Sequence, residues 1–268
     1  MRRAAAHPQP QVRAPISLVS SAARPRSRVR VPSISVNGAY VMDLGKVEYE
    51  AACELQRSLA AAVSLGAIPD TVLFLEHPPT ITLGRRTEEG EVHVPDGADV
   101  AIVETNRGGR STYHGPGQLV CYPILDLKRH GKDVKKFCRD LEEAIVQTLA
   151  AFGLVGARVD GLTGVWMKPP PRKIASIGVH LSRWVSTHGY ALNVDLDPAP
   201  FTHWITACGL YDASFTSMAH ELGRTLTIDE VRPAARAAIA EVFELEFDEL
   251  PGNEPGLWPQ PLHAQLSV

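Results

Sequence analysis

The spacing of apolar residues switches repeatedly between a period of two and a period near 3.6, and the switches mark out the elements. Residues 39–44 read as a short strand, and 47–65 place Ala, Leu and Val at helical spacing before Gly66 closes the helix. β-Branched runs at 71–76 and 80–83 flank His77-Pro78-Pro79 and predict two strands around a turn. Strands are also predicted at 101–104 and 118–125, with the polar, glycine-rich stretch 107–117 between them. A long stretch without period inside a compact domain points to function. The clearest amphipathic helix covers 134–149, with Val134, Phe137, Cys138, Leu141, Ile145 and Leu149 on one face. Strands follow at 164–167, 174–183 and 190–196, the first two joined by the stiff run Pro169-Pro170-Pro171. Thr227-Ile228-Asp229-Glu230 is a capping box that opens a helix to about Phe243. Strands occur both in hairpin-like pairs and between helices. The expected fold is therefore α+β, a mixed β-sheet flanked by helices, with no internal repeat.

With 268 residues, 44% of them apolar, the chain can bury a full core. No apolar run approaches the roughly 18 residues that cross a bilayer, so no membrane partner is expected. The net charge of -3 is unevenly placed: residues 1–42 hold seven arginines and no Lys, Asp or Glu, and the remainder has ten more acidic than basic residues. That acidic body argues against nucleic acid as a partner. The boundaries expected are a basic tail over 1–38, a catalytic domain over 39–250 and a Pro- and Gly-rich tail over 251–268. The basic tail reads as the solvated N-terminus of a bacterial cytoplasmic protein, or else as a transit peptide to the mitochondrial matrix. Four cysteines without a C-x-x-C pair signal neither a zinc site nor a disulfide framework, and imply a reducing compartment.

Cys53 and Cys138 fall on helix faces and Cys121 in an apolar run, where a cysteine packs as a small apolar residue. Cys208 is different. It sits in the aperiodic Thr206-Ala207-Cys208-Gly209, where a glycine lets other backbone approach. A thiol with a pKa of about 8.5 needs a cationic or basic neighbour to act as a nucleophile at neutral pH. Lys173 opens the apolar segment 173–179 and is one candidate; His114 and His188, both bounded by glycine, are others, and spacing does not choose among them. Arg107-Gly108-Gly109-Arg110-Ser111-Thr112-Tyr113-His114 has the look of a loop whose N–H groups converge on an acyl oxygen or a phosphate, although it lacks the P-loop pattern.

From about Tyr40 to Phe247 the sequence resembles the lipoyl(octanoyl) transferases, in the superfamily of biotin and lipoate protein ligases. The resemblance is carried in order by Gly84-Arg85-Arg86, by Arg107 to Gln118, by Lys173-Ile174-Ala175-Ser176-Ile177-Gly178, by His188 to Asn193, and by Ala207-Cys208-Gly209. It implies that Cys208 carries an acyl thioester and that Lys173 lowers the pKa of its thiol and shuttles its proton. It implies an acyl site lined by Arg107, Gly108, Gly109, Arg110, Ser111, Thr112, Tyr113, His114, Ser176, Ile177, Gly178, Gly189, Tyr190 and Ala191. The implied donor is octanoyl-acyl carrier protein. The implied acceptors are the lipoyl domains of 2-oxoacid dehydrogenase E2 subunits and of the glycine cleavage H protein. No metal, ATP or other cofactor is implied, and a monomer is expected. Two positions depart from the family pattern: Ala207 stands where Pro is usual before the Cys-Gly pair, and Cys121 where Gly is favoured. The competing functions are an ATP-dependent lipoate or biotin ligase of the same fold, a non-catalytic carrier-binding protein, and a cysteine hydrolase using His114. Lys128, Arg129, Lys132, Lys135, Lys136 and Arg139 form a basic cluster suited to an acidic carrier protein.

Overall fold

A computed structural model describes residues 37–206 and 214–249. The expected C-terminal tail, the expected N-terminal tail up to residue 36, and Ala207, Cys208 and Gly209 lie outside the described residues, while Gly38 already belongs to the first strand.

The central strands are recognisable from their side chains. β2 (Asp70–Glu76) and β6 (Gln118–Ile124) are buried on both faces almost throughout, as near-continuous apolar runs require. Between them and the edges run β1 (Gly38–Lys46), β7 (Ala157–Val159), β8 (Leu162–Met167), β9 (Arg172–Ser182), β10 (Val185–Asn193) and β12 (Glu246–Glu249). Their order is β12-β1-β2-β6-β10-β9-β8-β7, and the two-residue β11 (Ser214–Phe215) pairs with β9. β1 is parallel to both β12 and β2, while β2, β6, β10, β9, β8 and β7 pair antiparallel in succession. The sheet is thus mixed and flanked by helices, as expected.

α1 (Tyr49–Ser64) buries Leu55, Leu59 and Val63 on one face of this sheet and stops at Gly66, whose φ of 67° suits the left-handed residue after a helix. α2 (Val134–Ala150) and α5 (Ile228–Phe243) cover the other face. Asp133 caps α2 by accepting from the N–H groups of Lys135 and Lys136, and Thr227 and Glu230 close the capping box of α5 from both sides. The predicted stripe of α2 is narrower than its spacing indicated. Val134, in the first turn, is 41% exposed, and Cys138, one position round from buried Phe137, is half-buried.

The strands at 71–76 and 80–83 do not form a hairpin. His77 is buried and donates its Nδ1–H to the Val47 carbonyl at 2.7 Å, and Pro78-Pro79 turns the chain out of the large sheet. β3 (Thr80–Leu83) instead centres a second sheet, parallel to β4 (Ala101–Glu104) and antiparallel to β5 (Thr112–His114). β5 lies inside the stretch that sequence assigned to an aperiodic loop. α3 (Ala199–His203) supplies Phe201 to the small core of this sheet, and α4 (Met218–Leu222) follows β11.

Candidate active site

At the middle of the β9–β10 ladder the large side chains lie on one face and small ones on the other. Tyr190, Leu192 and Ile177 point toward α2 and α5, while Gly178 faces Gly189 and Ser176 faces Ala191 across the ladder on the opposite side. These small residues let other chain approach. A Cβ at Gly178 would lie 3.1 Å from the Gly108 carbonyl oxygen, and one at Gly189 only 2.1 Å from that of Cys121. The loop after β4 settles against β9, with the Gly108 N–H donating to the Val179 carbonyl at 2.9 Å.

A narrow slot of about 60 Å³ remains over this stripe. Arg107, Gly109, Arg110, Ser111, Thr112, His114, Lys173, Ser176, Ile177, Gly178, Gly189, Tyr190 and Ala191 all line it, together with Tyr49, Tyr122 and His188. Two residues expected here behave differently. Tyr113 alternates away from Thr112 and His114 along β5 and packs edge-on against Phe201 and Trp204. Gly108 lines the adjoining groove instead, and its N–H, already donated to Val179, is not a donor to an acyl oxygen. The Ser111 N–H likewise faces Glu91 Oε2, at 3.4 Å, so the loop is held together by donors that sequence assigned to a ligand.

Arg107 braces the slot. Its guanidinium donates to the Thr82 carbonyl at 2.6 Å, to Thr82 Oγ1 at 2.7 Å and to the Gly108 carbonyl at 3.0 Å, tying the small sheet to the loop. Beyond it, Tyr49, His77, His114, Tyr122 and His188 form one contiguous buried cluster. A carbonyl oxygen can only accept, so His77 Nδ1 carries the proton and Nε2 accepts from the Tyr122 hydroxyl at 2.8 Å. His114 Nδ1 donates to Gln118 Oε1 at 2.7 Å, because the Gln118 amide nitrogen is spent on Asn193 Oδ1 at 3.0 Å. Asn193 in turn donates to the Thr216 carbonyl at 2.9 Å, and the Thr216 N–H to the Lys173 carbonyl at 3.0 Å. All three rings are held neutral. Burial lowers the His77 pKa to about 4; burial, then the Arg107 charge, lowers that of His188 to about 3; burial, then His77 and Arg107, drive that of His114 well below its usual value. His188 is also left-handed, at φ 58°, with its N–H on Gln56 Oε1 at 2.6 Å and Nε2 donating to Asn106 Oδ1 at 2.8 Å.

Lys173 lies where the slot opens into a groove of about 740 Å³, which Ile177, Gly178, Gly109 and Arg110 also line. It is 4% exposed, with its ammonium 5.4 Å from the centroid of the Trp166 ring. Gly164, at φ 119°, passes beneath it, and a Cβ there would stand 2.9 Å from Lys173 Cε. The described residues on either side of 207–213 each have fixed partners. Upstream, Ile205 bridges Val92 and the Thr206 N–H donates to the Glu91 carbonyl; Glu91 holds Arg110 and Ser111. Downstream, Ser214 and Phe215 pair with Arg172 and Lys173 on the edge of β9 that β10 has left.

Of the other cysteines, Cys121 packs in the core as expected, whereas Cys53 and Cys138 are half-buried and line grooves. Burial raises all three thiols, that of Cys53 to about 11, and Cys121 sits in the core against α2 and α5 rather than in the slot. In the basic cluster, Lys128, Arg129, Lys136 and Arg139 each pair with a carboxylate, so its field is weaker than a count of cations indicates. Sequence reasoning missed Tyr49, Tyr122, Thr82 and Trp166, whose spacing is that of ordinary core residues.

The fold is shared with lipoate protein ligases of known structure. A bi-partite lipoate protein ligase from Thermoplasma acidophilum superposes with a TM-score of 0.62 at 18% identity, covering 80% of this chain and 86% of that one. Residues 48–240 match the lipoyl protein ligase A/B catalytic domain, and the chain belongs to that family. Within it, an octanoyltransferase of Chloroflexus aurantiacus is 50% identical over 208 residues, 76% of this chain and 93% of the relative. An octanoyltransferase of Mycobacterium tuberculosis is 50% identical over 205 residues, 76% of this chain and 86% of the relative.

Proposed function

We propose that this enzyme moves an octanoyl group from the thioester of an acyl carrier protein to a lysine of a lipoyl domain, by way of a thioester on Cys208. The observation that carries the reading is Lys173, a buried amine at the junction of a small-residue slot and an open groove. The chain bearing Cys208 is anchored on one side at Glu91 and on the other beside Lys173 itself. That anchoring favours Lys173 over His114 as the partner of the thiol, since His114 Nδ1 is committed to Gln118 and burial holds its pKa well below the usual value.

In the first half-reaction the Cys208 sulfur, its proton taken by Lys173, attacks the donor carbonyl. The carrier's thiolate leaves and receives that proton. One thioester replaces another, so the exchange is nearly isoenergetic and needs no nucleotide. In the second, the neutral lysine amine of the lipoyl domain attacks the acyl-enzyme carbonyl, Lys173 takes the amine's proton, and Cys208 departs as the thiolate. Amide formation from a thioester runs downhill. Burying about seven methylenes at about 0.8 kcal/mol each gives the acyl chain roughly 5 kcal/mol of binding, which the stripe of Gly178, Gly189 and Ala191 is suited to collect.

Incubation with octanoyl-acyl carrier protein alone, without ATP, is expected to yield a hydroxylamine-sensitive octanoyl adduct at Cys208 by mass spectrometry, absent from Cys208→Ala. Lys173→Met should slow its formation by on the order of 10²-fold. An unmodified wild type, or transfer that requires ATP, would overturn the reading.

A further inference from the structure

Gly84-Arg85-Arg86 has no part in the chemistry above, yet its backbone is fixed as firmly as any in the site. The Thr87 N–H closes a turn on the Gly84 carbonyl at 3.0 Å, and the Arg85 and Arg86 N–H groups donate to the carbonyls of Arg107 and Gly109 at 3.1 and 3.0 Å. Gly84 has no room for a side chain, since a Cβ would lie 2.5 Å from the Gly109 oxygen and 2.7 Å from Arg107 Nη1. The turn is therefore bolted to the loop that walls the slot, while both arginine side chains remain exposed.

Arg86 lines the groove that leads inward to Lys173. The groove's charged lining is Arg86, Arg110 and Lys173 against the single carboxylate of Glu88, in a chain whose body is acidic. Glu88 is taken by Arg110 at 2.6 Å, and Glu91 is held by the same guanidinium and by Ser111, so these two carboxylates are engaged by Arg110 and not by Arg86. The inner walls offer Trp166, Leu162 and Val179 with the hydroxyls of Thr87 and Thr163. Such a lining suits a flexible chain of methylenes and amides that ends in an anion.

We propose that Arg86 binds the phosphate of the donor's phosphopantetheine arm, so that the groove reads the arm from its phosphate end while the thioester end reaches Lys173. The assignment rests on the proposed carrier-linked donor. A guanidinium fork matches a phosphate oxygen pair in a way a lysine does not, and a rigid turn presents it at little entropic cost.

The test uses the full chain and two small donors, octanoyl-phosphopantetheine and octanoyl-pantetheine, with a saturating lipoyl domain. Inhibition of transfer from octanoyl-acyl carrier protein by phosphopantetheine and by pantetheine is measured in parallel, so the comparison stands even if the small thioesters turn over poorly. Wild type should favour the phosphorylated form by about tenfold or more in kcat/KM or in inhibition constant. In Arg86→Gln that advantage should collapse toward unity with the lipoyl-domain KM unchanged, and Arg86→Lys should recover part of it. Equal use of the two forms by wild type, or an advantage that survives Arg86→Gln, overturns the assignment. So does a rise confined to the lipoyl-domain KM, which would make Arg86 a contact to the acceptor. Failure of transfer from every octanoyl thioester would overturn the proposed function itself.

Discussion

Lys173 owes its position to a residue with no side chain. Gly164 crosses under it at φ 119°, where L-residues are strained, and its N–H is held by Glu142 Oε1 at 3.1 Å. In Gly164→Ala the new methyl would meet the Ala175 carbonyl at 2.5 Å and Lys173 Cε at 2.9 Å, so either the β8 and β9 pairing opens or the lysine swings out. Displacement of a reacting group by about 1 Å costs on the order of 10²-fold in rate. Gly164→Ala should therefore lose about that factor in kcat. Gly153→Ala should not, because Gly153 has a positive φ of 76° but nothing within 4 Å of a Cβ. Steady-state rates beside melting temperatures separate the two effects, and equal kcat losses at equal stability losses would refute a specific role for Gly164. Little of this was visible in the sequence. Gly164 reads there as the start of a strand, and its relation to Lys173 exists only through the pairing of β8 with β9. Ser176, Gly178, Gly189 and Ala191, by contrast, were legible through the family resemblance, although Gly189 lies just before the strand predicted at 190–196.

Among the elements, the sequence shows best those that are long and uniformly periodic. α1, α2, α5, β2, β6 and β9 fall close to their predicted places, the helices because each buries one continuous face and β2 and β6 because both their faces are buried. β3 was located correctly but assigned to the wrong partner, since nothing local distinguishes a hairpin turn from His77-Pro78-Pro79 leaving one sheet for another. β5, β7, β11 and β12 are short strands held by tertiary neighbours. β11 matters most, because Ser214 and Phe215 align the chain that follows Cys208 beside Lys173. It is clamped by Glu221 of α4, which accepts from Arg172 Nε and Nη2 at 3.0 and 2.8 Å and from Thr216 Oγ1 at 2.6 Å. Glu221→Gln removes the charge and one acceptor from this partly buried fork. A stability loss of about 1–2 kcal/mol is expected, with a disproportionate fall in the alkylation rate of Cys208 at pH 7. An alkylation rate unchanged while stability falls would mean that the clamp supports the fold without ordering the site.

At the scale of the whole molecule, the neutral histidine cluster couples the site to global stability. His188 lies 139 residues from Tyr49, whose hydroxyl is 3.4 Å from its Nδ1, and His77 bonds Tyr122 across 45 residues. No sequence pattern could have shown these rings as one unit, although His114 and His188 each stood out as glycine-bounded. In the unfolded chain each histidine gains its proton near pH 6.5, whereas folded His77 resists to about pH 4 and His188 to about pH 3, and His114 is also strongly resistant. Between pH 6.5 and 4 the unfolded state thus holds more protons than the native one, so stability is complete above that window and falls as pH drops through it. Each fully linked proton is worth about 1.4 kcal/mol per pH unit, and with three such groups the slope near pH 5 should approach about 4 kcal/mol per unit. Lowered carboxylates such as Glu91 and Glu221 add to the slope only nearer their ordinary range, so between pH 6 and 5 the histidines dominate, with a smaller addition from His180, which burial and then Arg85 also lower. Urea unfolding at pH 7, 6 and 5 measures this directly. His188→Asn should flatten the slope by about one proton whatever it does to absolute stability, because the slope counts titrating groups and not contacts. A wild-type uptake of one proton or fewer over that interval would show that the cluster is not held neutral. Its floor of uncharged rings would then carry positive charge beside the slot, where an octanoyl chain would find no apolar wall.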